Sequence, residues 1–302
     1  MSQPARSPTA IILVAFSFMC LIWGSTWMMI KIGVRDAPPL TTLGLRFWIA
    51  GLLVLITVLV RRKPIPRDRA SLSFGVFLGL FHMAFPYSLV YWAEQYISSG
   101  LTAVLYATMP LMVAILARVF LGNPLTASKI IGIAFGLGGV TVIYSDHLGW
   151  QGEHGALGIA AVLLSVLFAS LSAVALKKRS PEIDPMSGLL IPFLVGGAVI
   201  SLAAGIIEGA NPVHLDMTTW GTILYLAVLG SVVAFSLYFW TIKRIDVTLL
   251  SYQTFIIPIL ALLFGWIFIH EGVSARVALG TLLILGGISL ANFQQLRKHL
   301  SR

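Results

Sequence analysis

Apolar positions gather into ten runs, near 10–30, 41–60, 71–93, 98–120, 125–145, 156–176, 186–208, 218–240, 247–269 and 275–295. A helix needs about 20 apolar residues to cross a bilayer, and each run is close to that length. The linkers are short and rich in turn formers, as in Asp36-Ala37-Pro38-Pro39, Gly122-Asn123-Pro124 and Asn211-Pro212. None has room for a soluble domain. The least marked boundary lies at Glu94-Gln95-Tyr96, where the apolar stretch barely pauses. The pattern predicts an all-α membrane protein with ten transmembrane helices. The first run is longer than the apolar core of a signal peptide and contains Trp23 and Trp27. No small-x-small cleavage site follows it, so it is expected to be a retained span.

Composition sharpens this picture. Only 10% of the 302 residues are charged and 58% are hydrophobic, with a mean hydropathy of +0.94. Soluble domains carry about 25% charged residues, so an ordinary soluble enzyme and a disordered chain are both excluded. A net charge of +9 invites a nucleic-acid reading, but the basic residues sit in short clusters between apolar runs, not on one basic face. No nucleic-acid partner is expected; the expected surroundings are membrane lipid. The single cysteine, Cys20, allows no intrachain disulfide and no cysteine-based metal site.

The basic residues also orient the chain, because Lys and Arg favour cytoplasmic loops. With the N-terminus inside, sixteen of the twenty fall on inner segments, including the Arg61-Arg62-Lys63 and Lys177-Lys178-Arg179 clusters. Only Lys31, Arg35 and Arg276 fall outside, and Arg46 lies within the second run. Both termini are therefore expected in the cytoplasm of a cell membrane, with a bacterial inner membrane as the expected setting.

The two halves repeat at a fixed shift of 148 residues. Leu101, Pro110, Phe120, Ala127 and Gly132 align with Leu249, Pro258, Phe268, Ala275 and Gly280. Leu137-Gly138-Gly139 aligns with Leu285-Gly286-Gly287, and Ser88-Leu89-x-x-Trp92 with Ser236-Leu237-x-x-Trp240. Residues 1–148 and 149–302 thus form two five-helix units. An odd number of spans turns the second copy upside down, which gives two inverted repeats around a central cavity. Many secondary transporters have that architecture, because two similar halves in opposite orientation allow two related packings of similar energy.

These residues carry a resemblance. Trp23-Gly24-Ser25-Thr26 ending in Lys31, Arg46-Phe47-x-x-Ala50 and Tyr87-Ser88-Leu89-x-x-Trp92 are part of it. Ser98-Ser99-Gly100-Leu101-Thr102-Ala103 leading to Pro110, Gly132 through Gly139, and Pro258 with His270-Glu271 complete it. The chain resembles the EamA family of the drug/metabolite transporter superfamily over nearly all of residues 10–295. The resemblance implies a ten-span exporter of amino acids or other small metabolites. One departure stands out: where the family often has Gly-Glu after the fourth span, this chain has Gly122-Asn123, while the second copy keeps Glu271.

Polar groups inside a bilayer are costly and therefore point to a pathway. All eleven acidic residues fall in loops or at helix ends, which argues against a carboxylate-based proton exchange. His82 is the only histidine within a span, near the midplane, and is a candidate hydrogen-bond donor or proton carrier. Trp23, Trp27, Tyr87, Tyr91, Tyr106, Tyr238, Tyr252 and Gln253 are candidates to line the substrate pathway, where aromatic faces with polar tips suit partly apolar cargo. The competing explanation is an interfacial aromatic belt. Pro110 and Pro258 each remove a backbone donor in mid-span, and they are expected to be hinges at matching places. Lys31 and Arg46 are expected at an outer vestibule that attracts substrate carboxylates. The glycines of the fifth and tenth spans read as close helix packing.

No cofactor, no metal and no catalytic residue is expected. His270-Glu271 lacks a second histidine at zinc-site spacing, so the chain does not read as an enzyme. The expectation is a monomeric or homodimeric carrier of a small-molecule substrate that works by alternating access. Amino acids with aromatic or apolar side chains are the first choice of cargo. The alternatives are an exporter of drugs or purine-like compounds and a channel-like facilitator.

Overall fold

The computed structural model describes residues 9–65, 67–150, 152–179, 186–209, 215–242, 244, 250 and 252–300. Among them, eight helices are long and apolar enough to cross a membrane. These are α1 (Ala10–Gly33), α2 (Pro39–Val60), α3 (Arg69–Ala93), α4 (Ser99–Leu121), α5 (Ala127–Ser145), α6 (His154–Leu176), α7 (Ser187–Ile207) and α8 (Met217–Tyr238). Two shorter apolar helices follow, α9 (Gln253–Ile269) and α10 (Ala275–Ala291). Most of the first few residues predicted for the ninth run lie outside the described residues. The 17 residues of α9 span about 26 Å, short of the roughly 30 Å hydrocarbon layer.

Helix starts follow ordinary capping chemistry. Asp68 and Asp216 accept the amides of Ser71 and Thr219 at 2.9 and 2.8 Å, which supplies orphan donors at the starts of α3 and α8. Ser98 caps α4 through the amide of Leu101. Proline opens α2 at Pro39, where its missing N–H costs nothing.

Two departures from regular helix fall at matching places in the repeat. α3 widens into a π-helical turn at Gly79–Ala84, and α8 does so at Leu226–Val233. The 148-residue shift places one on the other. Such turns are rare and occur mostly as single bulges, frequently at functional sites.

The core has two main parts, and each draws on both halves of the chain. One joins Leu43, Phe47 and Val54 of α2 to Met83 and Val90 of α3, Phe193 and Ile200 of α7 and Leu226 of α8. The other joins Leu101 and Leu105 of α4 to Ile143 of α5, Ile159 and Val162 of α6, and Ile284 and Ile288 of α10. The outer surface stays apolar, with Leu13, Val60, Leu202, Phe268 and Leu282 exposed. That is the surface a lipid-facing bundle presents.

The expected glycine packing is present between α5 and α10. A Cβ on Gly132 would lie 2.4 Å from the Gly287 carbonyl oxygen, and one on Gly139 would lie 2.6 Å from that of Gly280. Only glycine permits backbones this close. As the number rises from 132 to 139 on α5, its partner falls from 287 to 280 on α10, so the two helices run in opposite directions. Other contacts gather helix ends on one side of the bundle. Glu208, at the end of α7, meets the start of α2. His154, at the start of α6, packs on Tyr96 just after α3. Gly33, at the end of α1, lies against Thr222 near the start of α8.

Candidate functional site

Arg46 stands about two turns into α2 and is 2% exposed. Its Nε donates to Ser231 Oγ at 3.3 Å and its Nη1 to the Tyr91 hydroxyl at 3.2 Å. The guanidinium carbon lies 5.0 Å from the Tyr87 ring centroid and 5.5 Å from that of Phe47. Ser231 is positioned by the π-turn of α8: its hydroxyl donates to the Leu226 carbonyl, five residues back, at 3.0 Å. The hydroxyl hydrogen is thus spent and a lone pair faces Arg46. A buried guanidinium is costly unless paired, yet the hydrogen-bond partners found for it here are neutral, supplemented by π faces.

This position corrects the sequence expectation for Arg46. It does not reach out to a vestibule, because α3 and α8 offer it hydroxyls and rings inside the bundle. Ser231 was missed in the sequence; the signal available was a Gly230-Ser231 pair within an otherwise apolar span.

Aromatic side chains surround this centre. Tyr87 meets Phe47 edge-on at 5.3 Å, and Trp27 meets Tyr106 at 5.2 Å. Trp23 contacts Phe235 and Tyr238, each at 5.6 Å, and its Nε1 donates to the Gly230 carbonyl at 3.3 Å. Tyr225 bonds Ser25 at 2.6 Å. Ser25 gives its own proton to the Ile22 carbonyl, so the phenol is the donor. Trp23, Trp27, Tyr87, Tyr106 and Tyr238 are half-buried, whereas Tyr91 is fully buried. Half-buried rings from α1, α3, α4 and α8 thus lie in the same part of the bundle as a buried cation, a mixture of apolar wall and few polar groups of the kind that small-molecule sites use.

The remaining candidates separate from this group. His82 lies in the π-turn of α3, half-buried, with Nδ1 2.8 Å from Ser172 Oγ on α6. Ser172 donates its own hydrogen to the Ala169 carbonyl, which leaves Nδ1–H as the donor from histidine. His82 is thus a bridge between the halves. Tyr252 is exposed at the start of α9, and the Gln253 side-chain oxygen is buried with no hydrogen-bond partner among the described residues. Neither joins the Arg46 group through a hydrogen bond or ring contact found among the described residues.

The two prolines also part company. Pro110 sits at the start of Met109–Leu121, after a turn at Ala107 and Thr108 that ends Ser99–Tyr106. Pro258 lies inside the unbroken helix Gln253–Ile269. The repeat conserves the residue and not the break.

Lys31 belongs to a second polar group at the end of α1. Its Nζ donates to the backbone carbonyls of Glu94 and Ile97, the latter at 2.9 Å. Beside it, Glu271 takes the Ser99 amide at 2.8 Å, the Ser99 hydroxyl at 2.7 Å and the Gly100 amide at 3.3 Å. Glu208 does the same for α2, accepting from Leu40, Thr41 and the Thr41 hydroxyl. Both carboxylates sit at positive helix N-termini. Glu94 lies where the sequence put it, at a helix end. It is 0% exposed, and neither of its carboxylate oxygens has a hydrogen-bond partner among the described residues.

The comparisons with known proteins agree with this architecture. A solved crystal structure overlays with a TM-score of 0.66 over 95% of this chain and 99% of that one, at 19% sequence identity; this likeness concerns the fold alone. The chain is 26% identical to the "Uncharacterized transporter YoaV" of Bacillus subtilis (strain 168), over 93% of its own length and 97% of the relative's. It is 30% identical to the "Uncharacterized inner membrane transporter YedA" of Escherichia coli (strain K12), over 81% and 78%. The "EamA-like transporter family" matches twice, at residues 9–145 and 156–293. With two copies of that repeat in an all-helical membrane chain, the protein belongs to the EamA family and is a membrane transporter.

Proposed function

We propose that this transporter exports small metabolites from the cytoplasm, amino acids first, by alternating access of two inverted five-helix repeats within a ten-span bundle. Residues 1–148 and 149–302 are the two repeats in this reading, and both termini are cytoplasmic. The opposite directions of α5 and α10, and the helix ends gathered at the Glu208 and Tyr96–His154 contacts, support the inversion.

The observation that carries the reading is Arg46. A buried guanidinium with neutral partners sits in the seam between α2 of one half and α8 of the other, beside half-buried rings. Such a place suits a molecule with a carboxylate and an apolar or aromatic body: the cation meets the acid and the rings meet the side chain.

The test is counterflow in liposomes with the twenty amino acids, a purine set and a drug set. Labelled neutral amino acids, the aromatic and apolar ones foremost, are expected to exchange across the membrane and to saturate. Indifference to every amino acid with exchange of purines or drugs would move the cargo class. Unsaturable flux without exchange would replace the carrier by a channel.

A further inference from the structure

The group at the end of α1 holds two carboxylates and one lysine, and they are not equivalent. Glu271 has three donors and is suited to carry its charge. Lys31 is satisfied by two backbone carbonyls. Glu94 is fully buried, and among the described residues neither carboxylate oxygen has a hydrogen-bond partner. An ionised carboxylate taken from water without donors is among the costliest groups a protein can bury. A carboxylic acid in the same place costs far less. The charged and titratable groups around it are Lys31 near the end of α1, Glu271 after α9 and Tyr91 of α3, with Arg35, just past α1, acting on Lys31. His154 of α6 packs on Tyr96, two residues after Glu94 along the chain. Lys31 favours charge on Glu94, and Glu271 opposes it.

We propose that Glu94 is a proton-binding site, occupied while this end of the bundle is closed and emptied when it opens. The closed end is what buries Glu94: Lys31 ties α1 to the loop after α3, and Glu271 ties the end of α9 to the start of α4. Opening admits water, and the carboxyl O–H passes its proton to that water and is left as a hydrated carboxylate. Closing reverses the transfer. The inference rests on the two-state reading above but not on the identity of the cargo. Its sign follows from linkage: the closed form binds the extra proton, so acid on that side favours closure and rising pH favours opening.

Two measurements on the full chain in liposomes test it. Infrared spectroscopy at neutral pH reads the C=O stretch of a protonated carboxyl; that band is expected in the wild type, absent in Glu94→Gln and restored in Glu94→Asp. Amide hydrogen exchange across Ser99–Leu105, corrected for the intrinsic chemical rate, is expected to quicken at least about tenfold as pH rises through the titration. That factor corresponds to one pH unit of differential proton affinity. In Glu94→Gln, which stays neutral, the profile is expected to be flat. No protonated band in the wild type, or a band with pH-independent exchange, overturns the proposal. Counterflow on the same vesicles reports separately on the transport reading, so a protein that moves no cargo yet shows both signatures keeps the proton site and loses the carrier.

Discussion

Glu271 and Glu94 end neighbouring stretches of chain at the same end of the bundle, and the difference between them is one of donors. Glu271 closes over the start of α4, whose free amides at Ser99 and Gly100 point at it. Glu94 follows the last turn of α3, where the amides ahead of it already bond within the helix; its own goes to the Val90 carbonyl. A carboxylate beyond a helix C-terminus meets carbonyls, not N–H groups. Both residues read alike along the chain, as acids at the ends of apolar runs. What separates them is which end of a neighbouring helix each one meets.

The largest effect expected from breaking this contrast is in Glu271→Ala. Three donors lose a charged acceptor, which costs about 3 kcal/mol and lowers the denaturation midpoint in detergent. Glu208→Ala, which strips the start of α2, is expected to cost about 2 kcal/mol in the same assay. Glu94→Gln should cost no more than about 0.5 kcal/mol at neutral pH, because a neutral group replaces a neutral group. A loss as large as that of Glu271→Ala would mean that Glu94 is charged and paired. The smallest effects belong to the exposed caps. Ser71, through its amide and then its hydroxyl, holds the Asp68 carboxyl below its ordinary value of 3.8, and Thr219, through its hydroxyl and then its amide, does the same for Asp216. A depressed value means the stabilisation is present above the unfolded range and fades as pH falls through the folded one. Asp68→Ala and Asp216→Ala should therefore lower the thermal midpoint slightly at neutral pH and leave it unchanged in strong acid.

The fold was largely legible in the sequence because spanning helices announce themselves by length and apolarity, and because two glycine-rich segments must pack closely to be stable in lipid. The candidate site was legible in part. Trp27, Tyr87, Tyr91 and Tyr106 pack in one cluster with Phe47, while Trp23 packs in a neighbouring one with Tyr238. Arg46 was misplaced because depth was counted from the span boundary, and side-chain direction within a helix is not set by depth. Ser231 and the π-turns were invisible, since a single extra residue in a helical turn leaves no mark on an apolar run. Glu94 reads in the sequence as an acid at a helix end, and so it is, but its burial without donors was not legible, because donor supply depends on which helices become neighbours.

The central claim is that two inverted halves move against each other around the Arg46 centre. Spin-label distances at the two ends of the bundle test it most directly, in a Cys20→Ser background. One label pair at Asp36 and Met217 reports on the Lys31 end, and another at Arg61 and Leu176 reports on the opposite end; all four positions are exposed. Adding an amino acid shown to exchange by counterflow is expected to shift the two distances in opposite senses, one lengthening as the other shortens. Distances that move in the same sense, or stay fixed while exchange proceeds, would contradict the account.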